Sequence, residues 1–219
     1  MVERTEMRGG YEVTYYTVDI DDAMKAQAMD FARKLILTDN QYSRLLPKEV
    51  REGGDQNVKA QIEIQRTYMG KLGELAFVRL LRESGRAVDV GDMFTIYEGQ
   101  THVDAFDFKT ATGHSVDVKT GFRDIHKRLL VNVEQFDRIP KDYYVGVKVY
   151  ALDRDPELTL VDWNQITKAD IFGYAEHAYM KNYAEIRDFG EGPARWLYYN
   201  RLLGIDRLIA EFPLIIPTI

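Results

Sequence analysis

Two short runs of alternating apolar and polar residues contain the charged side chains best suited to chemistry. The runs cover residues 106–108 and 115–119, and a glycine-containing turn separates them. This pattern is typical of an antiparallel β-hairpin. Because side chains alternate between the two faces of a strand, Asp107 is predicted to lie on the same face as Asp117 and Lys119. Two carboxylates and one ammonium group would then share a small patch.

The register of this hairpin decides which acid joins the patch. If the runs are matched by hydrophobicity, four apolar side chains face one core: Phe106, Phe108, Val116 and Val118. Asp107 then faces the patch, whereas Asp104 faces away unless a β-bulge reverses it. A strict two-residue loop at Thr112–Gly113 would instead shift the register and favour Asp104. We expect the hydrophobic match to prevail, because misplacing four core side chains costs several kcal/mol.

The clustered charges indicate a particular kind of chemistry. Neighbouring carboxylates repel each other unless a cation lies between them or one of them takes a proton. Oxygen ligands select hard divalent ions, Mg²⁺ above all. Such an ion activates water and stabilises the charge that develops on a phosphoryl oxygen. A lysine two residues along the strand can contact the same phosphate or orient the attacking water, so the patch suits phosphodiester hydrolysis.

A further acid lies upstream, in a segment with helical periodicity. Glu74 shares an apolar stripe of this predicted helix with Val78 and Leu81. A carboxylate on the apolar stripe of a buried helix is costly unless it is paired or bound to a metal. The alternative is a pair between Glu74 and Lys71 on an exposed helix face, which contributes a few tenths of a kcal/mol.

Taken in chain order, these residues resemble a known signature. Asp107 followed by Asp117-Val118-Lys119 is similar to the motif of the PD-(D/E)XK, or restriction-endonuclease-like, superfamily of nucleases. Segment 70–76 resembles the helix that supplies another acid in that superfamily, with Glu74 at the acidic position. Gln135 corresponds to a downstream Glu or Gln that assists the site in some members. The likeness covers about residues 69–150; it lacks the proline before Asp107, and its middle acid is Asp where Glu is commoner.

The resemblance implies an α/β fold with a restriction-endonuclease-like core, in which helices flank a mixed central β-sheet. It implies a metal-dependent DNA nuclease, in first place an endonuclease of restriction or phage type. Mg²⁺, or Mn²⁺ in its stead, would be held by Glu74, Asp107 and Asp117. Lys119 would position the attacking water or stabilise charge on the phosphate, and Gln135 would orient either.

Several alternatives stay open beside this interpretation. An exonuclease or a junction or repair nuclease would use the same site, and a catalytically inactive module of this fold would bind DNA without cutting it. The charges of the hairpin would otherwise form an ordinary solvated face of a structural or partner-binding protein. Since many enzymes that cut both strands act as two-fold dimers, the analogy also leaves a homodimer open.

A basic segment follows the hairpin directly. Between Lys119 and Arg128 the chain has four Lys or Arg residues and one Asp. Arg123, Lys127 and Arg128 are therefore predicted to contact a DNA phosphate backbone, with a solvated turn as the alternative. Downstream aromatic residues, Trp196 and Tyr198 among them, could stack on unpaired bases, but their apparent helical spacing favours a core or interface role.

Composition narrows the class of protein. The 219 residues are 45% hydrophobic and 29% charged, with a net charge of −6, which favours one folded domain over disorder or a general nucleic-acid coat. Cysteine is absent, which excludes disulfides, thiolate zinc sites and cysteine nucleophiles. No apolar run approaches the roughly 20 residues that span a bilayer, so we expect a cytoplasmic protein without membrane contacts.

Periodicity and turn residues divide the chain into elements. We expect a single domain over residues 1–219, with a helical N-terminal part (about 1–60), a catalytic core (about 61–150) and a mostly helical C-terminal extension (about 151–219). The predicted helices cover about 22–38, 58–83, 134–139, 174–186 and 194–211, with another opening at a capping box over 167–170. The predicted strands cover 87–90, 103–108, 115–119, 129–133, 143–150 and 158–163.

Overall fold

The computed structural model describes residues 1–37, 52–53, 55–96, 107–123, 125–151, 163–190 and 192–216. The helices are α1 (Asp22–Leu37), α2 (Gln56–Glu83), α3 (Val133–Arg138), α4 (His177–Tyr183) and α5 (Ile205–Ala210). The strands are β1 (Val2–Arg8), β2 (Tyr11–Asp19), β3 (Phe108–Lys109), β4 (Ser115–Gly121), β5 (Arg128–Asn132), β6 (Tyr143–Val149), β7 (Lys168–Glu176), β8 (Glu185–Asp188) and β9 (Pro193–Tyr198).

Within the described residues, six strands form a mixed central sheet and three form a smaller antiparallel sheet. The central order is β1-β2-β7-β6-β4-β3, in which β4 and β6 are parallel and the other neighbours antiparallel. The small sheet has the order β5-β9-β8. Helices α1 and α2 cover one face of the central sheet, and the small sheet packs on the other. These features confirm an α/β fold with a mixed central sheet flanked by helices.

Helix α2 ends where the sequence predicts, at Glu83, and begins at Gln56, slightly before the predicted start at about residue 58. The Asp55 carboxylate caps its first turn by accepting hydrogen bonds from the backbone N–H groups of Asn57 and Val58, at 2.9 and 3.3 Å. Gly85 follows the C-cap with φ of +72°, a left-handed conformation that glycine adopts without strain. From Leu75 to Leu81 nearly every residue is buried, so this half of the helix is packed on several sides.

A glycine sets the spacing between α2 and the central sheet. A Cβ atom added at Gly73 would lie 1.9 Å from Thr120 Oγ1 and 3.0 Å from Thr120 Cβ, closer than real side chains approach. Gly73 therefore lets α2 approach the Thr120 side chain on β4 closely. Gly70, on the same helix, has open space instead, because its added Cβ would meet nothing within 4 Å.

The hairpin adopts the register that the hydrophobic match requires. Phe108 pairs with Val116, and both are buried in the core beneath α2. The loop keeps this register by being longer than two residues: the Thr110 N–H donates to the His114 carbonyl at 3.0 Å, and Gly113 takes a φ of +87°. A three-residue loop with a left-handed glycine is a common hairpin connection. The alternative register built on a two-residue loop is therefore wrong.

The prediction of a helical N-terminal part over about residues 1–60 is wrong for its beginning, which forms two strands. It begins with a hairpin in which β1 pairs with β2 from end to end, and β2 then pairs with β7 in the central sheet. Val13, Tyr15 and Thr17 are buried while their neighbours Glu12 and Thr14 are exposed. This alternation is the period-2 pattern of a half-buried strand. Helix α1 follows as predicted.

The mostly helical C-terminal extension is also wrong. The capping-box segment 167–170 opens strand β7, which lies between β2 and β6 in the central sheet. All residues of β7 except its two ends are buried, Asp170 included, so the segment lacks the period-2 alternation that distinguishes a half-buried strand from a helix. Asp170, a predicted helix-capping partner, instead accepts hydrogen bonds from the hydroxyls of Thr17 and Tyr150 at 2.7 and 2.6 Å.

Three further assignments differ in detail. Segment 194–198 is strand β9, and the helical part of the predicted helix over 194–211 is confined to α5 and a short 3-10 turn at Tyr199–Arg201. Residues 87–90 form no strand, although a β-bridge joins Arg86 to Leu214 just before them. The predicted strand over 158–163 lies outside the described residues, except for Trp163 in a 3-10 turn.

Candidate functional site

Adjacent strands bring the predicted hairpin charges together. Asp107 directly precedes β3, and its N–H donates to the Val116 carbonyl at 3.0 Å. Its carboxylate turns toward β4, where Oδ2 accepts a hydrogen bond from the Val118 N–H at 2.6 Å. On β4 itself, Lys119 Nζ lies 2.8 Å from Asp117 Oδ2. Asp104, the alternative acid, lies outside the described residues.

Helix α3 adds the predicted amide to this cluster. The Asn132 side chain caps α3 by accepting from the N–H groups of Glu134 and Gln135, at 2.9 and 3.2 Å. The cap orients the first turn so that Gln135 Oε1 accepts a hydrogen bond from Lys119 Nζ at 3.1 Å. Lys119 is thus held from two sides, by a carboxylate and by an amide oxygen.

The third predicted acid enters from α2 and affects Asp107. Burial raises the pKa of Asp107 well above its usual range, and the negative charges of Glu74 and Asp117 raise that pKa further. The Lys119 ammonium and the Val118 N–H oppose this shift without cancelling it. Glu74, Asp107 and Asp117 therefore share one electrostatic neighbourhood, although they come from a helix, a strand end and a strand.

Glu74 forms an ion pair with Lys71, as the alternative interpretation predicts, but the pair does not lie on an exposed helix face. Lys71 Nζ lies 2.6 Å from Glu74 Oε2 and also donates to the Met93 carbonyl at 2.7 Å. The pair is not exposed, since the Glu74 side chain is only 15% accessible. The Lys71 ammonium also lies 4.6 Å from the centre of the Phe31 ring. Lys71 thus stabilises an acid that would be costly to bury alone.

The types of side chain at the site suit a hard cation, but their arrangement in the described residues does not form a ready metal site. Three carboxylates offer only oxygen ligands, the kind that Mg²⁺ prefers. Among the residues that the structure describes, however, no group of three or more His, Asp or Glu side chains is arranged to hold a metal ion. One oxygen of Glu74 is paired with Lys71, and one of Asp117 with Lys119. A divalent ion would therefore have to compete with two ammonium groups for these carboxylates.

A third lysine near the site, besides Lys71 and Lys119, was not predicted from the sequence. Lys141 is buried, at 3% exposure, and its ammonium donates to the Ile139 carbonyl at 2.9 Å. Burial lowers the pKa of Lys141, while the charges of Asp117 and Asp107 oppose that shift, so this cation acts on the same cluster. No local pattern reveals it, because Lys141 reaches the site only through the parallel pairing of β4 with β6.

The predicted phosphate-binding residues occupy three different environments. Arg123 is only 3% exposed, and its guanidinium lies 5.1 Å from the Phe122 ring centre. Lys127 is exposed to solvent. Arg128 is half-buried among aromatic rings on β5. The basic segment is therefore not one uniform surface, and only Lys127 has the accessibility expected of a simple phosphate contact.

A histidine fixes the loop between β4 and β5. His126 Nδ1 accepts hydrogen bonds from the N–H groups of Phe122 and Arg123, both at 3.1 Å. Burial lowers the pKa of His126 to about 4, and the cations Lys148 and Arg123 contribute to the shift. The imidazole is therefore neutral at physiological pH, and it holds the turn that follows the strand of Asp117.

Comparisons with protein-family models, with curated proteins and with solved structures find no match to this chain. In the described residues, no helix is both long enough and apolar enough to cross a membrane. The functional interpretation consequently depends on the residues of the hairpin, their order along the chain and their geometry.

Proposed function

We propose that the chain is a metal-dependent DNA nuclease with a restriction-endonuclease-like core, in first place an endonuclease. One observation carries the proposal: Glu74, Asp107 and Asp117, from three separate elements, lie in one partly buried cluster that also contains Lys119. Carboxylates that repel one another destabilise a fold, so a cluster of three favours a functional role for them. The raised pKa of Asp107 is the property expected of a carboxylate whose charge a bound cation would balance.

The side chains have distinct roles in this proposal. A bound Mg²⁺ or Mn²⁺ would supply an activated water and stabilise the charge on the phosphate. Glu74, Asp107 and Asp117 would hold the cation through their oxygens. Lys119, fixed by Asp117 and Gln135, would contact the scissile phosphate or orient the water.

The test is DNA cleavage by purified protein, with supercoiled, linear, single-stranded and branched substrates in Mg²⁺, Mn²⁺ or chelator. We expect metal-dependent nicking of circles by the wild type and none by Asp117→Asn or Lys119→Ala. Glu12→Gln is the matched control, because Glu12 is an exposed acid on β2, outside the site. Loss of linear DNA alone would identify an exonuclease, and cleavage of branched DNA alone a junction enzyme. Intact wild-type reactions throughout would refute nuclease activity.

A second candidate is a module of the same fold that binds DNA without cutting it. It is favoured by the ion pairs of Lys71 with Glu74 and Lys119 with Asp117, which already balance two of the three acids. Isothermal titration with Mn²⁺ separates the two candidates. A nuclease predicts binding that Asp107→Asn and Asp117→Asn abolish, whereas the binding-only module predicts DNA affinity with no specific Mn²⁺ site.

A further inference from the structure

The outer face of the small sheet carries an unusual set of side chains. Arg128 pairs with Tyr198 across β5 and β9, and Trp196 faces Leu130 on one side and Glu185 on the other. The residues between them, Leu129, Val131 and Leu197, point inward to the core. Because successive side chains of a strand point to opposite faces, Arg128, Trp196 and Tyr198 lie on the face of the small sheet that points away from the core. We call this face, together with the adjoining Phe189, the aromatic platform; its members are Arg128, Leu130, Glu185, Arg187, Phe189, Trp196 and Tyr198.

Arginine and aromatic rings are interleaved across the platform. The Arg128 guanidinium lies 4.8 Å from the ring centre of Trp196, 5.1 Å from that of Tyr198 and 5.5 Å from that of Phe189. Arg187 lies 5.5 Å from the same Phe189 ring. Neither arginine forms an ion pair with any carboxylate that the structure describes. On the platform itself these two cations outnumber the single acid, Glu185.

Two donor atoms of the platform have no hydrogen-bond acceptor among the residues that the structure describes. Trp196 is 9% exposed, and its indole Nε1–H is buried with no hydrogen-bond acceptor among the described residues. Arg128 Nε is likewise buried without an acceptor in the same part of the chain. Buried donors normally find an acceptor, so the packing of Arg128 against the rings leaves two donors unsatisfied among the described residues. Tyr198, by contrast, is 41% exposed to solvent.

We propose that the aromatic platform binds unpaired nucleotides of single-stranded DNA. Exposed aromatic rings stack on bases of any sequence, and arginine and lysine contact the phosphates between them. A duplex offers no open base faces, so it would not use Tyr198 in this way. The excess of cations over carboxylates on the platform complements the charge of a DNA strand.

The platform lies next to the elements that hold the hairpin site. The link between single-strand binding and cleavage rests on the proposed function. Strand β5 follows β4 after the His126 loop, and Asn132 at its end caps the helix that carries Gln135. A strand bound along β5 would therefore approach the amide that holds Lys119. The substrate class that this favours is DNA with a single-stranded segment next to the scissile bond.

The test measures DNA binding in chelator, where cleavage cannot occur. Fluorescence anisotropy is recorded with a labelled oligothymidine and with a labelled duplex. Tyr198→Ala should weaken single-strand binding about 5- to 150-fold, the range for losing one stacked base, and change duplex binding less than about 2-fold. Tyr11→Ala is the matched control, because Tyr11 is an exposed tyrosine on β2 of the other sheet. Circular dichroism verifies that each variant is folded.

A second variant tests the charge contribution. Arg187→Gln, at the exposed arginine of the platform, should reduce the salt slope of single-strand binding by about 0.7, the value for one lost phosphate contact. Equal single-strand affinity of wild type and Tyr198→Ala, or no single-strand binding at all by wild type, would overturn the platform. If the platform is overturned in this way but the protein still cleaves duplex circles, the proposed nuclease function stands. Conversely, single-strand binding without cleavage of any substrate would keep the platform and remove the nuclease.

Discussion

Replacing Gly73 by alanine tests whether the contact between α2 and β4 sets the geometry of the site. Gly73 precedes Glu74, and the residue it meets, Thr120, follows Lys119. The added Cβ would lie 1.9 Å from Thr120 Oγ1 and 3.0 Å from both Thr120 Cβ and Cγ2. Rotation of Thr120 about χ1 can move the hydroxyl away, but it leaves Cβ where it is. The helix must therefore shift away from the strand.

The magnitude follows from two opposing effects. Alanine in a helix interior is favoured over glycine by about 0.5–1 kcal/mol. Overpacking a filled contact costs about 1–3 kcal/mol. We expect Gly73→Ala to destabilise the fold by about 1–2 kcal/mol net, which lowers Tm by about 2–8 °C for a chain of this size. Gly70→Ala on the same helix meets nothing within 4 Å and should instead stabilise the fold by about 0.5–1 kcal/mol.

Urea unfolding followed by circular dichroism measures both variants against wild type. A double-mutant cycle with Thr120→Gly adds a direct test, because that change removes all three contacting atoms. In the Thr120→Gly background, Gly73→Ala should lose most of its cost. The reasoning is refuted if Gly73→Ala and Gly70→Ala shift stability equally, or if the cost of Gly73→Ala is the same in both backgrounds.

Three further changes probe the charges around the site. The folded-state pKa of Asp107 is raised, so its ionised form destabilises the fold; Asp107→Asn should be more stable than wild type at pH 7 in urea unfolding, with the advantage vanishing as pH falls to the unfolded pKa near 4. His126 has a lowered pKa of about 4, so stability should fall by about 3 kcal/mol as pH drops from about 6.5 to about 4. His126→Gln should remove that part of the pH dependence; an unchanged profile would contradict the assignment. Lys141→Met removes a cation that acts on Asp117 and Asp107, so it should tighten Mn²⁺ binding in calorimetry, whereas Lys141→Arg should not.

Local pattern was enough to predict the hairpin and the two long helices. Residues 108 and 116 match by hydrophobicity, and the caps at Asp55 and Gly85 are recognisable from residue type alone. The position of Asp107 beside Asp117 followed from alternation along two strands. Lys141 could not be predicted, because its approach to Asp117 depends on a parallel strand pairing that short-range patterns do not encode.

The C-terminal errors have a different physical origin, in residues whose meaning depends on distant partners. Gly146 and Gly173 pair across β6 and β7, where glycines weaken a strand and resemble breaks. Added Cβ atoms there would lie 2.7 Å from Leu202 Cδ1 and 2.3 Å from the Leu203 carbonyl oxygen. The glycines thus make room for the segment that follows β9.

That segment shows how one short stretch serves both sheets. Tyr199 stacks on Phe172 of β7, with ring centres 4.4 Å apart, and its hydroxyl donates to the Val147 carbonyl at 3.2 Å. The preceding residue, Tyr198, faces the opposite way and is exposed on the aromatic platform. Tyr198 ends β9 and Tyr199 begins the 3-10 turn, so the exposed Tyr198 is available to a ligand while the buried Tyr199 fixes the small sheet to the central sheet. The division at about residue 150 therefore separates pieces that the fold joins: the C-terminal residues supply β7, which pairs with β6, and the contacts that hold β5 and α3 beside Lys119.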